Sequence, residues 1–180
     1  ASNAAFLMVQ RVLMGVFSLV VVAVVARYLG TERYGEIVLF LSYNALIGQL
    51  SSLGLRPYSV RRVAADRSHV IAVVAEMLTL RGSLAIAAAM LGAAYMYWID
   101  PFLPDALIAV LALVVVTNAI AMCFVDGLYG VEGIKEVATT LGVSGSVVQV
   151  CALLAVAADA GGFGVACTYV VGNVVTIAVS

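Results

Sequence analysis

Charge is what this sequence has least of. Asp, Glu, Lys and Arg make up only 11% of its 180 residues, nine basic against ten acidic, where soluble domains carry about a quarter. A soluble helical protein needs a charged surface that this supply cannot cover, and that class is excluded. Histidine occurs once, at His69, and no carboxylate stands at a spacing that would make an acyl-transfer pair with it. No cluster has metal-ligand spacing and no Gly-rich phosphate loop follows a strand, so an enzyme, a metal or a cofactor is not expected. Nucleic acid is not an expected partner either. The three cysteines, Cys123, Cys151 and Cys167, are odd in number and sit inside apolar runs, which argues against a disulfide frame.

What is present is apolar surface. Hydrophobic residues reach 64% and the mean hydropathy is +1.15. A hydrocarbon layer about 30 Å thick needs about 20 mostly apolar residues per helix, because backbone groups in lipid must be satisfied within the segment. Six runs meet that need, at residues 4–26, 34–53, 69–98, 105–125, 137–158 and 162–180. The expected fold is all-α and membrane-embedded: a six-helix transmembrane bundle in a single unit, 1–180, whose short links make neighbouring helices antiparallel. The first run resembles a signal peptide in having Arg11 ahead of its apolar core, but five further runs argue for a span. Val174 to Ser180 stop inside an apolar run and no Met opens the chain, so a fragment of something longer is expected.

The breaks carry their own signals. Gly30 suits the left-handed position that ends a helix, and Gly54 and Pro57 end the second run. Tyr58 to Asp66 then reads as a short amphipathic segment at the interface, with Val60, Val63 and Ala64 opposite Arg61 and Arg62. Tyr95, Tyr97 and Trp98 form an aromatic belt. A polar connection from Asp126 to Glu136 separates the fourth and fifth runs.

Basic residues are unevenly placed. With the N-terminus in the cytoplasm, the inner side holds Arg11, Arg56, Arg61, Arg62, Arg67, Arg81 and Lys135, and the outer side only Arg27 and Arg33. The positive-inside rule selects that orientation. Arg56, Arg61, Arg62 and Arg67 read as a topogenic belt that binds lipid phosphate. Small and polar residues fall on single helix faces, such as Asn44, Gly48, Ser51 and Gly142, Gly145, Ser146, Gln149, a pattern that serves close packing or lines a polar cavity. Arg11 and Arg81 lie about a turn inside the cytoplasmic boundary, where each either snorkels or faces inward. Candidate substrate contacts are Arg11, Arg81, Asn44, Asn118 and Gln149, Arg being suited to phosphate by its planar fork of donors.

Several of these residues also carry a family resemblance. Asn3-Ala with Gln10-Arg11, Val-Ala-Arg-Tyr-Leu-Gly-Thr-Glu-Arg-Tyr-Gly (Val25 to Gly35), Leu53-Gly-Leu55 with Arg61-Arg62, and Phe124 to Gly133 resemble the N-terminal half of polysaccharide biosynthesis proteins. These are the oligosaccharide (Wzx-type, O-antigen) flippases of the multidrug/oligosaccharidyl-lipid/polysaccharide exporter superfamily. The resemblance covers the whole chain but about half of a family member. It implies one lobe of a two-lobed flippase fold in the inner (plasma) membrane, moving a polyprenyl-(pyro)phosphate-linked oligosaccharide to the outer leaflet, with glycosyltransferases or a glycan polymerase as partners. It also singles out Arg11 by position. A cation-coupled multidrug exporter, the alternative within the superfamily, calls for a membrane-buried carboxylate, and no Asp or Glu falls mid-run, Glu76 being nearest. A non-transporting scaffold of an envelope complex is a third reading.

The orientation is directly testable. A cysteine placed at Arg61 should react with a membrane-impermeant maleimide only when the cytoplasmic face is exposed; labelling in intact cells would reverse the topology.

Overall fold

The computed structural model describes residues 2–52, 54–65, 70–98, 104–131 and 134–180. All its regular elements are helices: α1 (Ser2–Ser52), α2 (Leu55–Ala65), α3 (Val70–Trp98), α4 (Asp105–Gly130), α5 (Ile134–Ala157) and α6 (Gly161–Val179). Five of them, all but α2, are long and apolar enough to cross a membrane. Large apolar side chains point away from the protein along these helices, including Leu19, Leu46, Ile71 and Leu91, as expected of a surface solvated by lipid.

α1 holds two of the six runs. Fifty-one helical residues in a straight rod would extend about 77 Å, but the helix is broken at Gly30, where φ is 75° and ψ is 175°. The polar stretch between the first two runs, residues 27–33, is therefore helical apart from one residue, a tighter join than a polar turn. Contacts show that the chain doubles back there. In the first arm Met14 lies beside Gly145 and Ser146, and Val21, Val25 and Leu29 pack on Ala152 and Val156 of α5. In the second arm Ile37 meets Gly162 and Phe40 meets Tyr169 of α6. Both arms thus leave the bend in the same direction, one along α5 and the other along α6. The Tyr28 hydroxyl donates to Asp159 in the α5–α6 turn, tying the bend to the turn beside it.

α4 is the hub and touches every other helix. Asp105 in its first turn complements the helix dipole. Leu107, Leu111, Val114 and Val115 form the main core with Phe40 and Ile47 of α1, Ala85, Ala89 and Met96 of α3 and Ala166 of α6. Asn173 of α6 donates from Nδ2 to the Val114 carbonyl at 3.2 Å and to Thr117 Oγ at 3.0 Å, a polar cross-link of the kind that joins helices in lipid.

At the opposite end from Gly30, the amphipathic segment expected at Tyr58 to Asp66 is α2. Ser59 and Val63 are buried while Arg61 and Arg62 are exposed; Ala64, expected on the inner side, is exposed. Val63 seats against Gly130, where a Cβ would come within 2.5 Å of it, so α2 lies directly on the last turn of α4. The fourth apolar run ends at residue 125, but α4 continues to Gly130 because α2 and α3 cover its final turn. Arg62 pairs with Glu76 at 2.7 Å. Tyr97 and Trp98 meet edge-on at the far end of α3.

The bend at Gly30 yields a stability prediction. Its dihedral angles lie in a region open essentially to Gly alone, at a cost on the order of 1–3 kcal/mol for other residues. Gly30→Ala should lower thermal stability in detergent by that order, whereas Gly35→Ala, with open space around it, should not.

Candidate functional site

Below the core, where the second arm of α1 faces α3 and α4 and α2 closes over them, the helices part around a cavity of about 350 Å³. The second arm contributes Asn44, Ala45, Gly48 and Gln49, α2 Arg56, α3 Arg81, and α4 Asn118, Met122 and Asp126. The small residues Ala45, Gly48 and Ala119 make the space, and longer polar chains enter it.

Its electrostatic centre is a carboxylate between two guanidinium groups. Asp126 is 1% exposed; its Oδ2 lies 2.8 Å from an Arg81 terminal nitrogen and its Oδ1 lies 3.2 Å from Arg56 Nε. Both contacts are within ion-pair distance, and the two arginines share the one carboxylate. The two arginines differ sharply in burial: the Arg81 side chain is 4% exposed and that of Arg56 54%. Arg56 also stands over the Tyr129 ring, 4.7 Å from its centroid, a cation–π seat at the mouth. Two positive charges against one negative leave the cluster at +1. Arg81 Nε and Asn44 Oδ1 are buried without a hydrogen-bond partner, and buried polar groups in native proteins are normally satisfied.

Of the residues expected to contact substrate, the fold gathers Arg81, Asn44 and Asn118 at this cavity. Arg81 faces inward, which decides between snorkelling and lining. Gln149 is not with them: its stripe on α5 faces the first arm of α1, where Gly145 and Ser146 meet Met14. Arg56, expected in the headgroup belt, belongs to the cavity instead, while Arg61 and Arg62 remain outside on α2. The side chain of Arg11, and Arg67 and His69 altogether, lie outside the described residues.

Asp126 is the residue that sequence reasoning missed. Among Gly127, Tyr129 and Gly130 it looks like part of a polar link; no Asp or Glu falls mid-run, but this one, near the end of α4, is buried. A signal was there: Asn118, Met122 and Asp126 recur every four residues, and so share one helix face. Among the described residues no group of His, Cys, Asp and Glu is placed to hold a metal ion. Set against protein-family models, curated proteins and solved structures, the chain has no match.

Removing one member of a buried ion pair strands the other, at roughly 3–5 kcal/mol, while replacing both with apolar groups is often near neutral. Asp126→Leu should therefore destabilise the chain strongly, and Arg81→Met combined with Asp126→Leu should restore most of the loss. Chemical denaturation in micelles, analysed as a double-mutant cycle, measures both.

Proposed function

We propose that the chain is one lobe of a flippase that moves a polyprenyl-(pyro)phosphate-linked oligosaccharide from the cytoplasmic to the outer leaflet of the inner membrane. The observation that carries this reading is the +1 charge of Arg56, Asp126 and Arg81 around a cavity inside a lipid-solvated helical protein. Charge buried at membrane depth is expensive and marks a path for polar cargo. A phosphate group matches the fork of donors on each arginine, and the amides of Asn44 and Asn118 suit the hydroxyl groups of an attached sugar. The prenyl tail needs no protein pocket, because it remains in the bilayer.

In this reading the two arms of α1 and helices α3 to α6 are six membrane crossings. α2 lies along the cytoplasmic face, where Arg61, Arg62 and Lys135 meet lipid phosphate. The resemblance of Val25 to Gly35 and of Phe124 to Gly133 to oligosaccharide flippases points the same way. One observation favours a cation-coupled exporter, the buried carboxylate of Asp126. Both of its oxygens face guanidinium groups, however, which repel an entering cation.

The test is made in cells whose own gene carries the change. Arg56→Gln, which leaves the buried Arg81–Asp126 pair intact, should cut surface glycan at least tenfold and leave lipid-linked oligosaccharide on the inner leaflet, with the protein still inserted at normal abundance. Arg27→Gln, at the other end of the bundle, should do neither. Normal glycan export by the Arg56 variant would remove the cavity from the transport path.

A further inference from the structure

Three facts about the cavity do not fit a merely structural ion pair. The single carboxylate of Asp126 is shared by two arginines, at 2.8 Å and 3.2 Å. One partner, Arg81, is buried within the protein, while the other, Arg56, is half exposed and lies over the Tyr129 ring. Arg81 Nε is buried at the cavity with its proton unused. One carboxylate thus serves two guanidinium groups and leaves a donor unused and a net positive charge at the cavity, as it would if the anion beside them were a stand-in.

We propose that Asp126 is a built-in competitor for the anionic group of the cargo, holding Arg56 and Arg81 in the empty protein and yielding Arg56 when a phosphate enters. This rests on the reading of the cavity as an anion site and adds the rule by which that site lets go. Two arginines facing a low-dielectric cavity with no counter-charge would bind a phosphate group too tightly to release it. With Asp126 present, every entering phosphate displaces a carboxylate, and every departing one is replaced by it.

The two pairs differ in what breaking them entails. Separating Arg81 from Asp126 would leave two unscreened charges within the protein, whereas Arg56, half exposed, can swing toward solvent with its charge still hydrated. The chain around Arg56 permits that swing. It is the second residue of α2, two residues after Gly54, whose surroundings are open, while α2 is anchored further along by Ser59 and Val63. The mobile contact therefore lies at the mouth and the fixed one deep inside.

The experiment uses inorganic pyrophosphate as the probe, titrated calorimetrically into the purified chain in nanodiscs. The unaltered protein should bind it, Arg56→Gln, which spares the buried pair, should weaken binding at least tenfold, Arg81→Gln should abolish it, and Asp126→Asn should tighten it about tenfold or more, the size expected when a close competing charge is removed. Pyrophosphate should also raise the melting temperature of Asp126→Asn more than that of the unaltered chain. Absence of binding to the unaltered protein, or binding unaffected by Arg56→Gln, overturns the anion site itself. Binding that is weakened in Arg56→Gln but equal or weaker in Asp126→Asn leaves the anion site standing and overturns the competitor. Infrared difference spectra of the unaltered protein give a readout that does not depend on that variant folding. Saturating pyrophosphate should shift a carboxylate stretch as Asp126 loses a guanidinium partner, and Asp126→Glu should move the band. A flat carboxylate region overturns the proposal.

Discussion

The contact between Arg81 and Asp126 constrains the rest of the molecule more than any other. Two opposite charges, each almost wholly removed from solvent, face one another at 2.8 Å between α3 and α4. Neither helix can turn about its axis or slide by a residue without stranding a charge in an apolar surround. The register of the two helices is thus fixed electrostatically, and the apolar core above, from Ala85 to Met96 against Leu107 to Ala119, packs in the register the pair allows. α2 follows from it as well, since Arg56 reaches the same carboxylate and Val63 lands on Gly130 one turn further along α4.

Much of this was legible in the sequence because the relevant physics is local. Apolar runs of about 20 residues have one satisfactory backbone conformation in lipid, so the helices could be read from composition and length. Gly30 and Gly54 were readable as breaks because both take positive φ, a conformation most side chains resist. Gathering Asn44, Arg81 and Asn118 at one place was not a local matter. It depended on the second arm of α1 turning that face toward α3 and α4, while an equally regular stripe on α5 ended in ordinary packing against Met14. Stripes of small residues look alike whether they make room for a neighbouring helix or for a ligand.

Asp126 shows how a local signal can mislead. Glycine at 127 and 130 beside acidic and aromatic residues has the composition of an exposed connection. In the folded chain those glycines instead allow α2 and α3 to approach closely, Gly130 against Val63 and Gly127 against Val74. The two residues that seemed to end the helix are thus the ones that let its last turn be buried, and that burial gives the carboxylate its arginines.

The distance along the chain between the paired residues has a consequence for biogenesis. Arg81 precedes Asp126 by 45 residues, so at 5–20 residues per second it leaves the ribosome roughly 2–9 s before its counter-charge. During that interval α3 carries a guanidinium with no carboxylate to meet it, and water or lipid phosphate must shelter the group until α4 arrives. Final seating of the third helix in the bilayer is therefore tied to synthesis of the fourth, and the two mature as one inserted hairpin.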